Sequence, residues 1–144
     1  MSITKKFIFI VFITTFCNQA SAEGLKKMGT HKDWETYIIN NETGKVCFAQ
    51  SKPVLQAPKD GMREARLFIT FRPNEKITDE ISITAGYAFN KKNLITAKSG
   101  KNKYKFDMSQ ENFAWMADTK QEKKMIKIMK KGSRIMITGY NQKG

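Results

Sequence analysis

From Asp33 onward, apolar and polar residues alternate over short runs separated by turn-forming clusters. Trp34-Glu35-Thr36-Tyr37-Ile38-Ile39 runs into Asn40-Asn41-Glu42-Thr43-Gly44, and Lys45 to Lys52 returns through Val46-Cys47-Phe48-Ala49, a pattern that predicts a hairpin. Pro53 to Gly61 is a loop marked by Pro53, Pro58 and Asp60-Gly61. Arg66 to Arg72 puts Leu67, Ile69 and Phe71 on one face and Phe68 and Thr70 on the other, and Pro73-Asn74 stops it. Glu80 to Ala85 alternates again, with Ile81 and Ile83 inward, and ends at Gly86-Tyr87. Shorter strands are expected at Asn93 to Ala97 and Lys103 to Met108, while Asn112 to Ala117 fits no single period. Ahead of all these, Glu23 to Lys32 has no periodicity and carries Gly24 and Gly29, so it is expected to be a flexible lead-in.

One segment changes period. Thr119-Lys120-Gln121-Glu122 matches a capping box, in which a hydroxyl and a carboxylate cover the orphan N–H groups of a helix start. Met125, Ile126 and Met129 follow as an apolar stripe flanked by Ile128, and Lys130-Lys131 and Gly132 suit a helix end. Ser133 to Thr138 closes the pattern as a strand with Ile135 and Ile137 on one face. The elements predict one mainly β domain, a β-sandwich or open-barrel-like fold, with one short helix near its C-terminal end.

The first 22 residues stand apart. Lys5-Lys6, the apolar run Phe7 to Ile13 and the small residues Ala20-Ser21-Ala22 form a secretory signal peptide, with cleavage expected after Ala22. The apolar run is shorter than the roughly 20 residues a membrane span needs. Taking 22 residues from 144 leaves 122, with 33–144 as the single domain. The expected compartment is the periplasm, the cell surface or the medium.

Export alters the charge and cysteine arithmetic. The leader removes two of 26 basic residues and none of 13 acidic ones, so the mature chain carries about +11. Of the basic residues only Arg63, Arg66, Arg72 and Arg134 are arginines, and the lysines accompany 15 Ile and 9 Asn, a set with AT-rich codons. Scarce arginine, scattered lysines and export make nucleic acid an unexpected partner. Cys17 leaves with the leader, so Cys47 has no internal disulfide partner; it is either a small buried residue of its strand or an intermolecular thiol.

The search for chemistry yields few candidates. His31, the sole histidine, falls in the lead-in, and one His with one Cys offers no zinc site. A strand would turn the adjacent Asp79 and Glu80 to opposite faces, which gives no acid–base pair. Gly24 to Gly29 has the glycine spacing of a phosphate loop but lacks the lysine directly after it. No catalytic residue, metal ligand or cofactor is expected. Lys120, Lys123, Lys124, Lys127, Lys130 and Lys131 make the helix exterior basic, either as a solvated face or as a contact for an anionic surface. Trp34, Trp115, Tyr87 and Tyr140 suit a binding surface or a sandwich core equally.

The order of features after the leader is itself informative. It comprises Asp33-Trp34-Glu35, Val46-Cys47-Phe48-Ala49-Gln50, Leu67 to Pro73, Ile83-Thr84-Ala85-Gly86-Tyr87, Phe113-Ala114-Trp115, and a helix leading into Met129 to Gly139. This ordered set resembles the invasion-associated locus B (IalB) family of exported bacterial proteins. The resemblance implies a β-rich, non-enzymatic protein of the periplasm or surface with a binding or structural role, and it supplies no catalytic residue. Family members commonly carry further cysteines and usually continue past the position of Lys143-Gly144 into another strand. The expectation is therefore either an open sheet edge near the C-terminus or a truncated reading frame. An open edge and Cys47 are the two routes to a homo-oligomer; other expected partners are a protein or an anionic envelope component. The competing readings are a small β-scaffold enzyme or enzyme inhibitor, and a binder of anionic polymers or lipid surfaces through lysine-rich faces. A convergent pocket with a perturbed acid would favour the enzyme.

Overall fold

The computed structural model describes residues 24–59 and 63–144; the expected signal peptide and the Asp60-Gly61 pair lie outside them. Strands β1 (Lys26–His31), β2 (Trp34–Asn41), β3 (Gly44–Ser51), β4 (Ala65–Arg72) and β5 (Ile77–Ala85) form an antiparallel meander. β6 (Ile95–Ser99) and β7 (Asn102–Phe106) follow as a separate hairpin. β8 (Met108–Gln110) and β9 (Phe113–Trp115) return to the first sheet, giving the order β1-β2-β3-β4-β5-β9-β8. Helix α1 (Thr119–Met129) precedes β10 (Met136–Thr138), which completes a three-stranded sheet ordered β10-β6-β7. Among the described residues the fold is mainly β, with two antiparallel sheets, no closed barrel and one α-helix near the C-terminal end.

The core lies between the middle of the large sheet and a second layer made of the small sheet and α1. Leu67, Ile81, Ile83, Ala85 and Ala114 face Ile95, Ala97, Tyr104, Phe106 and Met125 in one buried cluster. Ile81, Ile83 and Leu67 face inward as expected, but Ser82 and Thr84 are buried as well and Phe71 is 40% exposed; Met125 anchors α1 with no exposed surface. Ile126, Ile128 and Met129 pack around it. No residue of β1, β2 or β3 is fully buried; these three strands form a wing of the sheet from which Trp34 packs against the core cluster.

The lead-in is not without structure. Residues Lys26–His31 pair with β2 as an edge strand, with every residue exposed. A strand held by backbone pairing and one exposed ion pair, Lys27–Glu35, leaves no hydrophobic period to detect. Its lysines suit an unpaired edge, which would otherwise invite further strand pairing.

The helix start also departs from the expected capping box. The N-cap is Asp118, whose Oδ1 accepts from the Lys120 N–H at 2.8 Å. Thr119 is the first helical residue, and Glu122 turns away from the helix end. Its Oε1 accepts from the Ile81 N–H of β5 at 2.8 Å, 41 residues away in sequence. β9 begins to pair with β5 only at Ser82, so Glu122 supplies an acceptor just short of that pairing. A buried N–H deprived of its acceptor costs about 1–3 kcal/mol. Glu122→Ala is therefore expected to lower unfolding free energy by about that amount, whereas Glu122→Gln, which keeps an acceptor oxygen, should change it much less. Urea denaturation at neutral pH checks this, and equal losses in the two variants would contradict the latch.

Candidate functional site

Strand register brings five aromatic rings together on the uncovered side of the large sheet. Tyr37 stands opposite Phe48, Phe68 opposite Ser82, Ser82 opposite Trp115, and Thr84 opposite Phe113. The rings run Tyr37, Phe48, Phe68, Phe113, Trp115, with successive centroids 5.2, 6.1, 6.4 and 5.8 Å apart. Three of the four contacts are stacked and the Phe48–Phe68 contact is tilted. Small Ser82 and Thr84 on β5 are buried beneath the row, so Phe68 meets Phe113 across the intervening strand. Offset aromatic pairs contribute about 0.5–1.5 kcal/mol each beyond area burial. The row therefore acts as a thin second core where no other layer covers the sheet.

Ion pairs fix both flanks of this row. Glu35 accepts from Lys27 Nζ, from the Tyr37 hydroxyl at 3.0 Å and from Gln50 Nε2 at 3.0 Å, which orients the first ring. Those bonds, led by the one from Lys27, hold the Glu35 carboxyl down at about 2. On the other side of Phe68, the Arg72 guanidinium grips both Glu80 oxygens at 2.9 and 2.7 Å and also reaches Glu75. Together with Arg66–Glu64, these are the ion pairs among the described residues.

A cavity of about 590 Å³ opens where the row ends at Trp115, between the start of β5, β8–β9 and α1. Met108, Met116 and Ile77 give it apolar walls, and Glu80, Glu122, Lys76 and Lys123 are also on its lining. Glu122 is 4% exposed. Burial pushes its carboxyl above the ordinary range, the Ile81 N–H works against that, and Glu80, Asp79 and Asp118 add to the rise. Asp79 has a left-handed backbone (φ 64) beside a register shift in β4–β5, so regular alternation does not hold at the two adjacent acids.

The lysines occupy a different surface. All six helix lysines singled out from the sequence are exposed. Lys124 and Lys127 line an open groove of about 450 Å³ between α1 and β7, facing Lys103, with Gln121, Asn102 and Tyr104 in its walls. Lys120 and Lys131 continue that helical stripe, while Lys123 turns to the cavity on the opposite flank. Lys130 is the helix C-cap. The sequence did not reveal the contribution of the small sheet, where exposed Lys98 lies directly opposite exposed Lys103 and Lys105 follows on the same face. Like charges facing each other across a ladder are destabilising. None of these lysines belongs to an ion pair among the described residues.

The remaining candidates are dispersed. Cys47 is a free, half-buried thiol on β3, flanked in register by Ile38 and Phe71 on the wing. β10 is an edge of the small sheet, so one of its sides is unpaired. His31 ends β1 opposite Trp34, and among the described residues no group of three or more metal-binding side chains assembles. The aromatic row went undetected because it requires register. Its signal is that Tyr37, Phe48 and Phe68 sit beside Ile38, Cys47 and Leu67, so β2, β3 and β4 are apolar on both faces. None of the family models, curated proteins or solved structures compared with the chain matches it.

Glu35 gives the site a testable acid dependence. Its folded pKa lies below the ordinary value of 4.5, at about 2, so its stabilising contribution is complete above about 4.5 and disappears as pH falls through about 2. The stability difference between the wild type and Glu35→Gln should therefore be constant near neutral pH and shrink between those values. Urea midpoints measured across that range check it; a difference that does not change with pH would contradict the network.

Proposed function

We propose that this chain is an exported, non-catalytic binding protein of the IalB type, and that its ligand is an anionic polymer of the cell envelope. One observation carries the ligand class: an open groove between α1 and β7 brings Lys103, Lys124 and Lys127 together, with no ion pair to a described carboxylate. Lys98 and Lys105 extend the positive surface along the small sheet, and Lys120 and Lys131 extend it along the helix. A chain of spaced anions entering the groove would relieve the Lys98–Lys103 repulsion and release counterions, so affinity should be salt-dependent. Gln121 and Asn102 add neutral hydrogen-bonding groups in the same walls.

The enzyme reading has one feature in its favour, the raised Glu122 carboxyl beside a cavity. Its neighbours favour binding. Both Glu80 oxygens are held by Arg72, and one Glu122 oxygen is held by the Ile81 N–H. Glu80 is thus committed to an ion pair, and the cavity lining holds no His or Cys to serve beside Glu122 as base or nucleophile.

Dextran sulfate and neutral dextran provide the contrast needed. Dextran sulfate should bind, with affinity falling steeply as salt rises, and neutral dextran should not. Replacing Lys103, Lys124 and Lys127 together by Gln should weaken dextran sulfate binding by about tenfold or more and flatten the salt dependence. Replacing Lys45, Lys52 and Lys91 changes net charge equally and should leave most of the affinity; equal losses in the two triple variants would remove the groove from the proposal.

A further inference from the structure

The cavity at the end of the aromatic row is separate from the lysine groove and has different chemistry. Its apolar wall comprises one indole and two thioethers, Trp115, Met108 and Met116. Set in that wall is Glu122, 4% exposed, with only one of its oxygens committed to a protein donor. Its second oxygen accepts no hydrogen bond from the described residues and is not sealed from solvent. A volume of about 590 Å³ lies within the range of small-ligand sites.

The charges around Glu122 define what could enter. Glu80, Asp79 and Asp118 are the charged groups that raise its carboxyl pKa, and all three are negative. The lysines on the lining, Lys76 and Lys123, are exposed, and neither is ion-paired with Glu122. Glu80 is already neutralised by Arg72. The buried carboxyl therefore has an incomplete hydrogen-bond set, two acids acting on it that have no ion pair among the described residues, Asp79 and Asp118, and an aromatic face alongside. A buried carboxylate is stabilised by a cation that also donates hydrogen bonds. An indole and thioethers receive the apolar part of such a cation, and the indole face also attracts its charge.

From this arrangement we propose that the cavity binds a small organic cation, an alkylammonium group held by Glu122 with its hydrocarbon part against Trp115, Met108 and Met116. The site does not depend on the lysine groove, and its ligand has the opposite charge to that of the groove. Glu122 thus has two roles on its two oxygens: one completes the edge of β5, and the other receives the ligand.

Three probes of equal chain length separate charge from size: n-butylammonium chloride, sodium butyrate and butan-1-ol. The readout is the indole N–H resonance of Trp115 in ¹⁵N-labelled protein, with that of Trp34 as the internal control. Butylammonium should shift the Trp115 signal saturably and leave Trp34 in place, while butyrate and butanol should not saturate. Glu122→Gln should weaken the butylammonium response by about tenfold, since a neutral amide replaces the charge-assisted acceptor. Met108→Lys, at a position 47% exposed on an edge strand, should also weaken it by placing a positive charge in the cavity wall. This second variant decides the matter if Glu122→Gln does not fold. A response shared by butanol, a linear response to butylammonium, or full affinity in Met108→Lys would each overturn the assignment.

Discussion

Among the described residues, a three-stranded sheet and one eleven-residue helix supply the only second layer for a seven-stranded sheet. That mismatch in area governs the molecule. The covered part, β4, β5 and β9, builds the buried cluster around Ile81, Ile83 and Met125. Everything beyond it must be stabilised by other means or remain in water. On the opposite side of the same strands the answer is lateral: Tyr37, Phe48, Phe68, Phe113 and Trp115 pack against one another across the sheet. Burying Ser82 and Thr84 beneath them gives the central strand a dry surface on both faces.

The placement of α1 then determines where chemistry can collect. Met125 fixes the helix by packing and Glu122 fixes it by a hydrogen bond to the Ile81 N–H, so its height and rotation are constrained by two independent contacts. With those residues directed inward, Lys124 and Lys127 are turned toward β7 and Lys123 toward the start of β5. A recess forms along each flank of the helix, one bordered by lysines and one containing a buried carboxyl.

Periodicity carried the local part of this account and register carried the rest. Leu67, Ile69, Ile81 and Ile83 declared their strands because side chains alternate between two faces and aliphatic residues recur on one of them, a period of two. Met125 and Met129 declared the helix in the same way. β1 was invisible because all six of its residues are exposed and its pairing is made by backbone groups, which every residue has. The capping pattern misled by one residue for a specific reason: Asp118 and Thr119 are both competent caps, and Glu122 fits a box only if Thr119 is chosen. A tertiary acceptor role, set by Ile81 on another strand, decided between them. Likewise Phe68 and Trp115 are 47 positions apart, and only the shared partner Ser82 brings their strands into one row. The groove was half visible, since the helix lysines could be read but Lys103 joins them only through the fold.

Charge is distributed by the same geometry. The carboxylates with ion-pair partners, Glu35, Glu64, Glu75 and Glu80, belong to the large sheet and the segments flanking its strands, where Lys27, Arg66 and Arg72 engage them. Three of the four arginines are placed in or next to β4, so bidentate pairing capacity is concentrated on the large sheet. What remains for the small sheet and helix is lysine, a flexible point charge suited to following a polymer rather than gripping one carboxylate. A protein with these residues at random would neutralise its surfaces evenly. Here arginine–glutamate pairs hold the large sheet together, and on the other layer Lys103, Lys124 and Lys127 converge on one groove with no ion pair among the described residues, which is why the proposed anionic partner would meet that layer.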